Sequence, residues 1–227
     1  MLILISCGNT PTDMPVENET PAEPTEPEGK QTSVVEDNEE QASDEGSVEE
    51  GEALQYYQDG IAAYMAGDLQ KALVDFTKAI EVSPDYAEAY YQRGHVYIET
   101  GDLQKALEDF SATIDSNDEY PEAYYARGGM YYALGDYEMA MRDFDTAIIL
   151  APDMPQSYFD RGVLFMVLGD VEAAIADFQS YVDMSPDAED RDLVVELIQD
   201  LQTQLEEVEE EGEENNINEP SGENTSE

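Results

Sequence analysis

The chain has 227 residues, with fifty-five acidic side chains against nine basic ones and a formal net charge of −46. Nucleic acids are bound through cations that displace phosphate counterions, and anionic lipid headgroups attract the same sign, so neither is an expected partner. A single cysteine excludes an internal disulfide, and no stretch approaches the about 18 consecutive apolar residues that span a bilayer.

The chain opens with MLILISC. Leu4-Ile5-Ser6-Cys7 resembles a bacterial lipobox, and the resemblance makes Cys7 the residue that is lipidated. It implies a lipoprotein on the extracytoplasmic face of a bacterial membrane, touching the membrane only through the lipid on Cys7. The match over residues 1–7 is incomplete. No basic segment precedes it, and five apolar residues fall short of the roughly 7–15 of a secretory h-region. Two readings stay open: a start placed too far downstream, or a genuine short N-terminus on a cytoplasmic protein. The spacer that directly follows Cys7 favours the first. That spacer, residues 8–52, contains Pro11, Pro15, Pro21, Pro24 and Pro27, with fifteen acids and one base. It has almost no large apolar side chains whose burial would offset the entropy of ordering, so disorder is expected.

From residue 53 a 34-residue period takes over. Tyr90–Phe110, Tyr124–Phe144 and Tyr158–Phe178 are copies of one pattern, and Tyr56–Phe76 is a looser first copy. A period in this range marks a stack of repeated units. In the second copy Tyr90, Gly94 and Tyr97 share one helical face, and Ala106, Phe110 and Thr113 share another. Gly101 can end the first helix in a left-handed conformation, and Asp102 can cap the next. The same pair recurs at Gly67-Asp68, Gly135-Asp136 and Gly169-Asp170. Small Gly94 and Ala106 let two antiparallel helices approach, with Phe110 filling the space beside them. The spacing predicts helices over 53–66 and 69–82, 87–100 and 103–116, 121–134 and 137–150, and 155–168 and 171–184. Asp85 with Glu88, and Asp153 with Gln156, are spaced like capping boxes. Leu193, Val194, Leu197, Ile198, Leu201 and Leu205 give residues 189–210 one apolar face, as expected of a capping helix. The polyacidic tail, 211–227, should fray into disorder.

The four copies resemble tetratricopeptide repeats. Tyr124, Gly128, Tyr131, Ala140, Phe144, Ala147 and Pro152 carry that signature in the third copy. Departures are Ala63 at the second aromatic position of the first copy, Tyr181 at the last small position of the fourth, and Asp118 where proline is usual. The resemblance implies an all-α, right-handed superhelical solenoid of four hairpins, over 53–86, 87–120, 121–154 and 155–188. A capping helix and flanking acidic disordered tails complete it.

No catalytic constellation is present, so no enzyme activity and no cofactor are expected. His95 is the only histidine, and acid pairs such as Asp143 and Asp145 do not form a calcium loop. Arg93, Arg127 and Arg161 recur in step with Asp109, Asp143 and Asp177, and structural ion pairs are expected of them. A second stripe lies one residue along each first helix. It comprises Tyr57, Ile61 and Tyr64; Tyr91, His95 and Ile98; Tyr125, Gly129 and Tyr132; and Phe159, Val163 and Met166. The resemblance implies that this stripe lines a concave groove for a partner peptide; the alternative is that its rings pack between adjacent first helices. Gly129 would leave a notch there for a ligand side chain. The Lys, Arg and Asn of a carboxylate clamp are absent, so acidic chaperone tails are not expected ligands. The expected partner is a protein or peptide, neutral to basic, with aromatic or apolar side chains. A cytoplasmic adaptor and an acidic, salt-adapted or cation-buffering surface protein are the alternatives.

Overall fold

The computed structural model describes residues 39–217, with side chains placed from 50 to 208. The expectations for Cys7, for 8–38 and for 218–227 lie outside the described residues. The chain divides into Met1–Glu49 and Glu50–Glu227, and the second unit holds the repeats. Among the described residues the structure is all-α. Its helices are α1 (Glu39–Met65), α2 (Leu69–Val82), α3 (Ala87–Thr100), α4 (Leu103–Ser116), α5 (Pro121–Leu134), α6 (Tyr137–Leu150), α7 (Pro155–Leu168), α8 (Val171–Met184) and α9 (Arg191–Ile217). Helices α2 to α8 have the bounds that the periodicity predicts.

The two outer helices are longer than expected. α1 starts at Glu39, inside the stretch expected to be disordered, and α9 starts at Arg191 and runs to Ile217, into the expected tail. No proline falls between Pro27 and Pro84, and Glu, Gln and Ala are good helix formers. Once a helix is nucleated, each added residue gains a hydrogen bond at little further cost.

Each turn within a hairpin is built alike. Gly67, Gly101, Gly135 and Gly169 have φ between +77° and +83°, where a side chain would be strained. The Gly101 amide donates to the Ile98 carbonyl and the Asp102 amide to that of Tyr97, closing the last turn of α3. Asp68, Asp136 and Asp170 then accept from the amides of Lys71, Met139 and Ala173. Asp102 instead takes Lys105 Nζ at 2.6 Å, and that bond pulls its carboxyl below the usual range.

The capping boxes do not form. Tyr86 and Met154 occupy the N-cap positions of α3 and α7, and neither side chain caps. Ser83 Oγ donates to Asp85 instead. The Tyr86 ring packs 5.1 Å from that of Tyr57, so this position serves contact with the preceding hairpin rather than capping.

The core repeats with the sequence. Phe76, Phe110, Phe144 and Phe178 are fully buried, each worth about 1.5–3 kcal/mol by burial. Each lies against the glycine of its first helix: a Cβ on Gly60, Gly94, Gly128 or Gly162 would fall 2.7–2.9 Å from the ring. Between hairpins the buried residue of the first helix is Val96, Met130 or Leu164, which joins the preceding hairpin's phenylalanine cluster. The expected stripe through Tyr90, Gly94 and Tyr97 packs inward beside it: Gly94 is buried, Tyr90 lies on the Ala79 cluster and Tyr97 on that of Phe110. Those rings are half-buried and flank Arg93, at 5.5 and 5.9 Å from its guanidinium carbon.

At the far end Val194, Ile198 and Leu201 of α9 are buried with Phe178, Tyr181 and Val182. Leu193, expected on that face, is 67% exposed, because the packed face turns towards Val195 instead. Tyr181 packs against α9 and, at 5.1 Å between rings, against Phe159, and it donates to Asp190 at 2.5 Å.

Two adjacent glycines separate packing from helix propensity. Gly128→Ala forces a methyl into Phe144 and should destabilise by about 1–3 kcal/mol. At Gly129 a Cβ meets nothing within 4 Å, so Gly129→Ala should stabilise by about 0.5–1 kcal/mol. Thermal melts followed by circular dichroism would read both, and equal shifts would refute the packing account.

Candidate binding face

The first helices of the hairpins, α1, α3, α5 and α7, present the second stripe. Its residues are half-buried except Met166, which is exposed. Each ring has one side on its own hairpin. Tyr57, Tyr91, Tyr125 and Phe159 stand 5.6–6.1 Å from Phe76, Phe110, Phe144 and Phe178 respectively. Ile61 and Tyr64 pack on the Phe76 cluster, Ile98 on that of Phe110, Tyr132 on that of Phe144, and Val163 on that of Phe178. The rings are therefore both core margin and surface.

Their polar tips reach to the next first helix. Tyr125 donates from its hydroxyl to Asp160 Oδ2 at 2.7 Å, and Tyr64 donates to Glu99. Both pairs span 35 residues, one period plus one, which follows from the offset between neighbouring helices. Tyr86 and Tyr120, one period apart, join the face, with rings 5.1 Å from those of Tyr57 and Tyr91. Sequence reasoning placed none of Tyr86, Tyr120, Glu99 or Asp160 here. The signal for the two tyrosines was the same 34-residue spacing. Burial pushes the Tyr86 phenol up to about 12, with the charge of Glu88 adding to the effect.

His95 sits within this face, its ring 4.6 Å from that of Tyr91 and 5.3 Å from that of Phe110. Burial lowers its pKa, opposed by Glu99 one turn on.

The cations of these helices are committed elsewhere. Arg93, Arg127 and Arg161 each grip Asp109, Asp143 or Asp177 with two bonds of 2.7–2.9 Å. The third nitrogen reaches the preceding hairpin, at Thr77, Ser111 and Asp145. These are the ion pairs expected from the repeat, and they also tie successive hairpins together. The pairs with Asp177 and Asp145 hold the Arg161 pKa above its ordinary value despite burial. In the first repeat Asp59 stands in the arginine's place, and the buried Asp75 takes Lys71 and Lys78 instead. With every arginine of α3, α5 and α7 locked, Glu88, Glu99, Glu122 and Asp160 set the sign of the face.

Among the described residues no group of three His, Cys, Asp or Glu side chains could hold a metal ion, and no helix is long and apolar enough to cross a membrane.

The architecture is that of a stacked helical-hairpin array, with a half-buried aromatic row along its first helices. Three family profiles match in succession: TPR repeat over 60–101, and tetratricopeptide repeat over 91–155 and over 145–199. The chain is a tetratricopeptide repeat protein. No curated protein matches it in sequence. Among solved structures it is similar to MamA, at 19% identity and a TM-score of 0.60, over 68% of this chain and 85% of that one. A tetratricopeptide repeat protein from Parabacteroides merdae gives 19% and 0.60, over 69% and 62%. YrrB, described as a TPR protein with an unusual peptide-binding site, gives 20% and 0.58, over 73% and 84%. At these identities the likeness is one of fold.

The half-buried imidazole makes stability pH-dependent. Its folded pKa lies below the unfolded value of about 6.5, so the unfolded chain takes up the proton first. The contribution is complete above that value and is lost as the pH falls through the folded pKa. Titrating carboxylates change stability over the same range, so the difference between variants is the readout. The melting temperature of the wild type should fall relative to His95→Gln between pH 7.5 and 5.5, by about a few degrees or less. A pH-independent difference would contradict the placement of His95.

Proposed function

We propose that the array is a non-enzymatic scaffold that holds an extended or helical segment of another protein against its first-helix, concave face. The observation that carries this reading is the half-buried row of rings on a face whose arginines are all paired and where, among the described residues, Glu88, Glu99, Glu122 and Asp160 have no cation paired with them. Rings with an apolar body and a polar tip give contact area at low conformational cost. The acidic rim selects neutral to basic segments and disfavours acidic ones by like-charge repulsion. A peptide-binding site is described for YrrB, whose fold is similar, and the same use of the fold is proposed for this chain.

The test is selection of random displayed peptides on the wild-type chain and on Glu88→Lys, Glu122→Lys. The wild type should enrich sequences combining Lys or Arg with aromatic or apolar residues, and the variant should lose them while its helical circular dichroism is kept. Enrichment of acidic peptides, or binding that follows ionic strength and ignores the variant, would overturn the reading.

We also propose that the scaffold is tethered to the extracytoplasmic face of a bacterial membrane through lipid on Cys7. Leu4-Ile5-Ser6-Cys7 followed by a proline- and glutamate-rich spacer supports this. Metabolic labelling with an alkyne fatty acid should mark the native protein and not Cys7→Ser, and the variant should leave the membrane fraction. Equal labelling of both would exclude the anchor.

A further inference from the structure

Two departures from the repeat fall on the neighbouring first helices α5 and α7. On the first helices the register position filled by Ile61, His95 and Val163 is Gly129 in α5. The His95 ring lies 5.3 Å from Phe110, whereas a Cβ on Gly129 would meet nothing within 4 Å. The second departure is Asp160 in α7, at the position held by Gln58, Gln92 and Ala126 in the other repeats. A side chain is removed from one helix and a carboxylate is added on the next, and these two helices touch directly.

Tyr125 and Tyr132 stand four residues before and three after Gly129, on the same face of α5. Tyr125 donates to Asp160 Oδ2 at 2.7 Å, and the charge of Asp160 is felt at Tyr132. The Asp160 side chain is half-buried, and desolvation holds its carboxyl above the ordinary range. A carboxylate offers about four acceptor sites. Asp160 accepts from Tyr125, and among the described residues no lysine or arginine pairs with it. Neighbouring Arg161 is taken by Asp177 and Asp145.

We infer that the first-helix face carries a pocket for a cationic side chain of a partner, with Gly129 as its floor, Tyr125 and Tyr132 as its walls and Asp160 as the counter-ion. The inference rests on the reading of this face as a partner-binding surface. One carboxylate with two phenols is too small a donor set for a metal ion. A planar guanidinium can pair with the carboxylate through two N–H bonds, and ring faces on either side attract the same group. Arginine is therefore the preferred occupant, with lysine second.

The test titrates N-acetyl-arginine methylamide, and separately its neutral citrulline analogue, into the full ¹⁵N-labelled chain. Saturable amide shifts are expected at Tyr125, Gly129 and Asp160 with the arginine probe. The citrulline probe should bind about tenfold or more weakly, as loss of a charge-assisted pair implies. Asp160→Asn should abolish the difference between the probes while keeping the fold, since it removes a buried charge. Gly129→Leu, built into open space, should block both probes. Equal binding of the two probes, arginine binding unchanged in Asp160→Asn, or shifts scattered over the acidic surface without Gly129 would overturn the pocket.

Peptide selection tells the two readings apart. Basic peptides held equally by the wild type and Asp160→Asn would remove the pocket and leave the scaffold. An arginine probe seated at Gly129, with no peptide selected, would leave the pocket and remove the scaffold.

Discussion

The contact on which the array depends is that between a glycine of each first helix and the phenylalanine ring of its partner helix. A Cβ at any of the four glycines would overlap the ring, and each ring is fully buried. The distance between the two helices of a hairpin is thereby set by a hydrogen atom against an aromatic face. Once it is set, the residues beside the glycine acquire their roles. Val96, Met130 and Leu164 are turned into the preceding hairpin, and the neighbouring stripe is left half-exposed. Core and proposed binding face are therefore adjacent rows on one helix, determined by the same close approach.

The second constraint is electrostatic. In a chain of net charge −46, three arginines could have neutralised the face they stand beside. They are instead clamped to buried aspartates of their own hairpin and reach back to the hairpin before. Breaking such a buried pair by removing one partner typically costs about 3–5 kcal/mol, because a charge is left without a counter-ion. The arginines are thus structural, and the acids on the first helices keep their field. The same ion pairs thus serve stability and leave the face acidic.

A periodic chain also supplies its own controls. Where residues differ between repeats at one register, the fold does not demand a single residue type there: the Gly129 position holds Ile61, His95 and Val163 in the other repeats, and the Asp160 position Gln58, Gln92 and Ala126. Asp59 lies in the first hairpin, and Tyr181 packs against α9 rather than against a further hairpin. Gly129 and Asp160 are not at an end. They occur on helices in direct contact; a Cβ at Gly129 would meet nothing within 4 Å, and Asp160 accepts from Tyr125 of the preceding hairpin.

The 34-residue spacing by itself determined the all-α class, the bounds of α2 to α8, the glycine turns, the Asp caps at three of four second helices and the pairing of arginine with aspartate. These features were legible because each depends on local backbone geometry or on a residue type repeated in register. The extent of α1 and α9 was misread, because acidic composition suggests disorder while helix propagation from a packed segment needs only good helix formers. The capping boxes were misread because Tyr86 and Met154 take the cap positions, and what they contact belongs to another hairpin. Which row of the first helix is buried, that Leu193 faces outward, and that Tyr125 meets Asp160 all depend on how one hairpin is rotated against the next. That rotation is decided by side chains a full period apart meeting in space. Only the tertiary structure brings them together.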